Sequence, residues 1–312
     1  MRLQIVTPAP PGSRHGNRNT ALRWAAQLRA LGHRVAIDTE WRGRDFDLLI
    51  ALHARRSHAS IAAWKRAHPG RPLVVVLTGT DLYRDIRSDS DARESLELAD
   101  RLAVLQAKGL EELSKENRNK AVVVHQSVRP VKRRSPPRGH FLITVIGHLR
   151  DEKDPFCAAH ALALLPDPDV RVVQLGKAMT PEMATRSRAL MKMDARYRWL
   201  GELPHAGAMR WLARSHAMVI SSRMEGGAHV VSEAIAAGVP VLASRIAGNI
   251  GLLGERYPGY YPVGNERGLA KLIERARSEH GFLKALGKAV KTRRALVRPA
   301  AERRALRELL YP

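Results

Sequence analysis

Short, nearly continuous apolar runs alternate along the chain with longer stretches in which apolar residues recur every three or four positions. The runs at 3–6, 33–37, 46–52, 72–77, 98–106 and 120–127 read as strands, and the grammar restarts at 141–146, 170–175, 217–220 and 240–242. Strands without polar alternation are covered on both faces, so they belong in parallel sheets with helices above and below. The spacing predicts a helix over 21–31, with Leu22, Ala25, Ala26 and Leu28 on its buried side and Gly32 as its stop. The Pro/Gly-rich segment 8–20 before it reads as a loop. A further helix is expected around 109–116, and 269–310 reads as helical apart from Pro299. Between the two strand series, 128–139 is Pro-rich, charged and without apolar periodicity, the signature of a linker.

Length supports this two-part division, because 312 residues exceed a comfortable single core. The single cysteine, Cys157, excludes an internal disulfide and a cysteine-based metal cluster. Residues 1–8 read as a first strand rather than a signal peptide, and no apolar run approaches the ~20 residues of a membrane span. A cytoplasmic protein is expected. The formal net charge of +23 raises the question of nucleic acid. Aromatic residues make up only 5%, so stacking platforms are scarce, and the cations are spread over the whole chain. Nucleic acid is therefore an unlikely partner, and solvated faces or a basic cleft for small polyanions remain as readings of the charge.

Three strand ends carry candidate chemistry. The runs at 46–52 and 72–77 stop in polar clusters holding His53, Arg55 and Arg56, and Thr78, Thr80, Asp81 and Arg84. Clusters at equivalent carboxyl ends of parallel strands mark a ligand edge. The third and most informative is 221–241, where a strand gives way to Gly226-Gly227, an Ala-rich helix, Gly238 and a new strand. This is a βαβ unit whose glycines admit close backbone approach and whose helix start favours an anion. Glu225 and Glu233 frame the turn; a mostly helical interval would separate them by roughly 12 Å. That span suits one carboxylate on a sugar and the other on a ribose, with a diphosphate between.

Glu-x7-Glu in this frame resembles the donor site of GT-B nucleotide-sugar glycosyltransferases. The 141–146 strand ends in Gly147-His148-Leu149-Arg150-Asp151-Glu152-Lys153, similar to that family's Gly-Arg-Leu-x-x-x-Lys. His148 stands where the arginine is expected, and Arg150 two residues on offers the missing charge. His148 is open to two roles, donating to a phosphate or orienting the acceptor. The resemblance implies an α/β GT-B fold, two Rossmann-like domains whose parallel sheets face a central cleft. Residues 1–130 would form the acceptor-side domain and 139–297 the nucleotide-sugar domain, with a helix at about 298–312 packing back on the first. Residues 197–205 resemble a strand and turn facing the nucleotide base, and 244–253 would add another glycine turn beside the donor.

More narrowly, Gly16-Asn17 with Thr20, and the stretches 51–57, 77–85, 147–155 and 225–233, resemble the selenosugar synthases, glycosyltransferases of selenoneine biosynthesis. The resemblance implies transfer of glucose or N-acetylglucosamine from the UDP-sugar to selenophosphate, then loss of phosphate to give a 1-selenosugar. Under it, His148, Arg150, Lys153, Gly176, Lys177, Glu225, Gly226, Gly227 and Glu233 bind the donor. Gly16, Asn17, Thr20, His53, Arg55, Arg56, Thr78, Thr80 and Arg84 bind the acceptor. His53, Asp81, His148 and Glu225 are the catalytic candidates. No metal or other cofactor is expected, since cations and backbone N–H groups suffice for the leaving diphosphate. A GT-B enzyme acting on a carbohydrate or lipid-linked acceptor is the alternative, and the oligomeric state is open.

Overall fold

The computed structural model describes residues 1–13 and 15–311. Arg14, within the expected 8–20 loop, and Pro312, within the expected 298–312 segment, lie outside the described residues. The chain divides into two compact units. One comprises Met1–Ser127, Glu225–His229 and the segment from Arg298 onward; the other comprises Val128–Met224 and Val230–Val297.

The first unit runs β1 (Arg2–Val6), α1 (Gly16–Ala30), β2 (Arg34–Asp38), β3 (Leu48–Leu52), α2 (His58–Ala67), β4 (Leu73–Leu77), α3 (Ile86–Ser88), α4 (Ser90–Leu98), β5 (Arg101–Val104), α5 (Lys115–Asn119) and β6 (Ala121–Val123). All six strands are parallel, in the order β2-β1-β3-β4-β5-β6. The apolar runs alternate between two cores, as the two-residue period of a strand requires. Leu48, Ile50, Val74 and Val76 join α1 through Trp24 and Leu28. Leu49, Leu73, Val75 and Leu77 join α2 and α4 through Ile61, Trp64 and Leu96.

Helix α1 begins at Gly16, five residues before the expected start, and its register differs from the expected one. Thr20, Ala21, Trp24, Ala25 and Leu28 are buried, whereas Leu22 is 49% exposed and Ala26 is also exposed. The indole of Trp24 sets the register, since a fully buried Trp removes more apolar area from water than the leucine it displaces. Its end was legible: Gly32 adopts φ +89, its N–H donates to Arg29 O, and the next N–H donates to Leu28 O. That is a Schellman stop, which needs a residue free to turn left-handed.

The second unit runs β7 (Phe141–Ile146), α6 (Cys157–Ala163), β8 (Val170–Leu175), α7 (Pro181–Met193), β9 (Tyr197–Trp199), α8 (His205–Arg214), β10 (Ala217–Ile220), α9 (His229–Ala237), β11 (Val241–Ser244), α10 (Ala247–Leu253), β12 (Tyr260–Tyr261), α11 (Glu266–Ser278) and α12 (His280–Thr292). Its strands are again all parallel, in the order β12-β11-β10-β7-β8-β9. Chain direction across the sheet therefore reverses between β7 and β10, the place where such sheets open a crevice. Within the 244–253 segment, Ala247–Leu253 form the short helix α10 rather than a glycine turn. Gly248 and Gly251 are buried within it, because tertiary packing outweighs their poor helix propensity.

Residues 128–139, expected as a linker, form no helix or strand but are held on the second unit. Val128 N–H donates to Val297 O at 2.9 Å, and the Arg133 guanidinium donates to Ala213 O at 2.8 Å. Arg133 illustrates a wider use of cations. Arg196 donates to Leu162 O and Leu165 O at the end of α6, Arg293 to Leu252 O of α10, and Arg294 to Ile235 O of α9. Lys120 does the same for α4 through Leu96 O and Ala99 O. Each cation sits at the negative end of a helix, where the last carbonyls lack partners.

The last helix, α13 (Pro299–Leu310), belongs to the first unit and inserts Leu306, Leu309 and Leu310 into the α1 core. Its Glu302 side chain is fully buried, accepts from Arg23 Nε at 2.8 Å, and takes a second bond from Ser127. Breaking a buried pair strands the remaining charge, so Glu302→Ala is expected to cost about 3 kcal/mol. Urea denaturation of the variant, read beside wild type, checks this. Among the described residues, no helix is long and apolar enough to cross a membrane.

Candidate active site

In the second unit the crevice at the β7/β10 reversal is lined by Gly147, His148, Lys153, Gln174, Ser221 and Ser222. Two loops build one wall. Leu149 N–H donates to Lys177 O at 2.9 Å and Met179 N–H donates to Leu149 O at 3.1 Å, zipping the loop after β7 to the loop after β8. His148 Nδ1 accepts from Lys177 N–H at 3.3 Å. Gly176 makes the crossing possible: a Cβ on it would lie 1.9 Å from Gly147 O, and its φ is +149. The loop carrying Lys153 is tied to the end of β10, where Ser221 Oγ donates to Asp154 O at 2.7 Å. Arg223 N–H donates to Glu152 O at 2.8 Å. His148, Lys153, Gly176 and Lys177 are thus brought together, while Arg150 is half-exposed and lies 3.8 Å from Glu152. Ser221 and Ser222 were missed as lining residues, although they open the 221–241 frame.

Glu233 is buried in α9 and accepts from His205 Nε2 at 2.6 Å. The carboxylate raises the pKa of His205, stabilising the imidazolium. His205, the first residue of α8, ends the 197–205 stretch expected to face the base; its bond to Glu233 was not expected, because the partner lies 28 positions away. The helix carrying Glu233 starts only at His229, so just half of the Glu225–Glu233 interval is helical and the rise expected for a continuous helix does not hold. Gly226 and Gly227 break the run. Helix α9 ends on Gly238 at φ +70, with Val239 N–H donating to Ala234 O.

Glu225 to His229 group with the first unit. A Cβ on Gly226 would lie 2.2 Å from Thr78 O, and one on Gly227 would lie 2.6 Å from Leu105 Cβ. These glycines therefore accommodate protein backbone and side chain at the ends of β4 and β5, a requirement the sequence attributes to a ligand. Glu225 itself is largely buried, at 9% exposure.

The carboxyl ends of β3 and β4 form a single cluster. His53 holds a left-handed backbone at φ +75 and its Nε2 lies 3.0 Å from Thr80 Oγ1. Its Nδ1 accepts from Arg56 N–H at 3.3 Å, which leaves the proton of a neutral ring on Nε2, facing Thr80. Burial lowers the His53 pKa, more than the nearby Asp81 raises it, so the ring is neutral at pH 7. Asp81 is fully buried, one oxygen accepting from the N–H groups of Thr78 and Gly79 at 2.9 and 2.8 Å, the other from Ala54 N–H at 3.0 Å. It clamps the two loops together, a supporting position rather than one open to substrate. Arg55 Nε binds Asp89 at 2.9 Å and Arg84 Nε binds Asp85 at 2.9 Å. Arg56 is exposed and its side chain makes no ion pair among the described residues. Gly16, Asn17 and Thr20 lie in the first turns of α1, with no hydrogen bond to this cluster among the described residues. A separate hollow lined by Arg2, Arg34 and Phe46, at the amino ends of β1 and β2, contains none of the expected site residues.

Two six-stranded parallel sheets with flanking helices, one carrying a crevice at its strand reversal, give the GT-B class of glycosyltransferase fold. The chain belongs to the glycosyl transferases group 1 family, whose model matches residues 128–293. It is similar in structure to HepE from Anabaena in complex with UDP and glucose, with a TM-score of 0.79 at 15% identity over 99% of each chain. Sucrose-phosphate synthase from Thermosynechococcus elongatus gives a TM-score of 0.78 at 15% identity over 99% of this chain and 98% of its own. A glycosyltransferase from Rickettsia africae gives 0.73 at 14% identity, covering 99% and 98%. No curated protein matches the sequence.

Proposed function

We propose that the protein transfers glucose or N-acetylglucosamine from its UDP-sugar to selenophosphate. The donor half of this reading is carried by one observation: Lys153 and His148 line the crevice at the β7/β10 reversal. Related structures hold UDP or UDP-glucose, which supports the same donor here. As the anomeric C–O bond to the diphosphate breaks, negative charge builds on the departing phosphate oxygen. Lys153 and Arg150, on the loop after β7, would stabilise that charge. Glu225 would hold sugar hydroxyls and Glu233 the ribose.

The acceptor half is supported by the resemblance to selenosugar synthases and by Arg55, Arg56 and Arg84 beside His53. Selenophosphate presents an ionised selenium, so its attack on the anomeric carbon needs orientation more than proton removal. Water would then cleave the Se–P bond, releasing phosphate and the 1-selenosugar. Neutral His53, with its Nε2 proton held toward Thr80, is the candidate proton carrier for that step. Arg56→Ala is expected to raise the selenophosphate KM about tenfold, the worth of one charge-assisted hydrogen bond, with the donor KM unchanged. Steady-state kinetics with each substrate varied reads this, and equal changes in both constants would sink the assignment.

One observation favours a second reading, a carbohydrate or lipid-linked acceptor: Arg55 and Arg84 are already neutralised by Asp89 and Asp85. Mass spectrometry with each UDP-sugar, with and without selenophosphate, separates the two. A selenium isotope pattern on a hexose or N-acetylhexosamine mass, with matching UDP release, supports the first. UDP-sugar turnover that never incorporates selenium moves the protein to the second.

A further inference from the structure

The pair His205–Glu233 combines two environments that differ sharply. The Glu233 side chain is 5% exposed, whereas that of His205 is 72% exposed. Burial therefore does not hold the imidazole in place; its bond to the carboxylate does, with Pro204 fixing the backbone where α8 begins. Nearby loops put the ring at the carboxyl edge of the sheet. The β9 edge strand leads into it through Gly201, whose carbonyl accepts from Gly176 N–H at 2.7 Å, and Trp199 Nε1 donates to Gly176 O at 2.8 Å. Because the carboxylate is buried, losing its partner also has a stability cost, so the role of the contact has to be read from ligand binding rather than from stability. What the contact does accomplish is directional: it holds Oε1 of the carboxylate toward the start of α8. A carboxylate held in one orientation is suited to accept hydrogen bonds from a vicinal diol.

We infer that His205 is a positioning residue for the nucleotide donor, orienting Glu233 so that it reads the ribose hydroxyls and distinguishes a ribonucleoside diphosphate from its 2′-deoxy analogue. This rests on the donor reading above. The mechanism resembles the way an outer hydrogen bond fixes a metal-binding side chain, applied here to a sugar ligand. A site built to accept from a hydroxyl rejects the analogue lacking it. Gln at 205 retains an N–H donor for the carboxylate, and Ala does not.

Isothermal titration of wild type, His205→Ala, His205→Gln and Glu233→Gln with UDP and with 2′-deoxy-UDP tests the inference. Wild type is expected to bind UDP about tenfold more tightly than 2′-deoxy-UDP, the worth of one good hydrogen bond. His205→Ala should weaken UDP about tenfold and 2′-deoxy-UDP, which keeps only the 3′-hydroxyl, by clearly less, and His205→Gln should restore most of the difference. A merely structural role would weaken both ligands alike. Equal weakening, no weakening, or a wild type blind to the 2′-hydroxyl would overturn the inference while leaving the donor site standing. A wild type that binds neither UDP nor UDP-sugar would overturn the donor reading, and this inference with it.

Discussion

Gly176→Ala is expected to cost the second unit about 4 kcal/mol, the sum of a strained left-side backbone and a broken loop crossing. The added methyl would stand 1.9 Å from Gly147 O and 2.5 Å from its carbonyl carbon, and both are backbone atoms that cannot swing aside. Relief requires the loops after β7 and β8 to separate, which breaks the bonds joining Leu149 to Lys177 and Met179. For a unit of this size the thermal midpoint should fall by about 8–16 °C. Differential scanning calorimetry reads it directly. Gly147→Ala is the control: its Cβ would come no nearer than 3.9 Å, to Lys153 Cδ, so a comparable fall there would discredit the steric account.

The second large effect concerns turnover. Lys153→Ala should reduce kcat/KM for the UDP-sugar by about 10²–10³-fold, the usual loss when one preorganised charge facing a leaving group is removed. Most of the loss should appear in kcat, because the phosphate is more negative in the transition state than in the bound donor. The fold should survive, since the backbone of this loop is held independently through Lys153 N–H to Arg150 O and Ser221 Oγ to Lys153 O. Circular dichroism and UDP titration beside the kinetics separate the cases. A variant that keeps full kcat would remove Lys153 from the chemistry.

Much of the fold was legible because the informative signals are local. Strands β7, β8 and β10 coincide with apolar runs bounded by polar or glycine residues, and the stops at Gly32 and Gly238 follow from a need for left-handed backbone. What escaped depends on distant partners. The start of α1 was hidden by Gly16, Asn17 and Asn19, weak helix formers whose segment is carried by the packing of Trp24. At the site, a run of residues around Glu225 marks a βαβ turn, yet the crowding of Gly226 by Thr78 lies far outside any sequence window. The His205–Glu233 bond is hidden for the same reason. Asp81 was legible as important but not as a clamp, since only the folded loops bring three N–H groups to its oxygens.

The cations at helix ends change how the formal charge of +23 should behave in solution. Arg294 lies against the last turn of α9, whose first turn follows the Gly226-Gly227 bend. Cancelling the negative pole of that helix leaves its positive pole less opposed, so the field at the bend gains from a guanidinium at the far end. Arg196, Arg293 and Arg133 are likewise committed to carbonyls through short, oriented bonds. Such charges act at contact range, well inside the roughly 8 Å over which physiological salt screens exposed ones. These capping contacts should therefore persist as ionic strength rises, while the exposed cations that give the molecule its behaviour on a cation exchanger are screened.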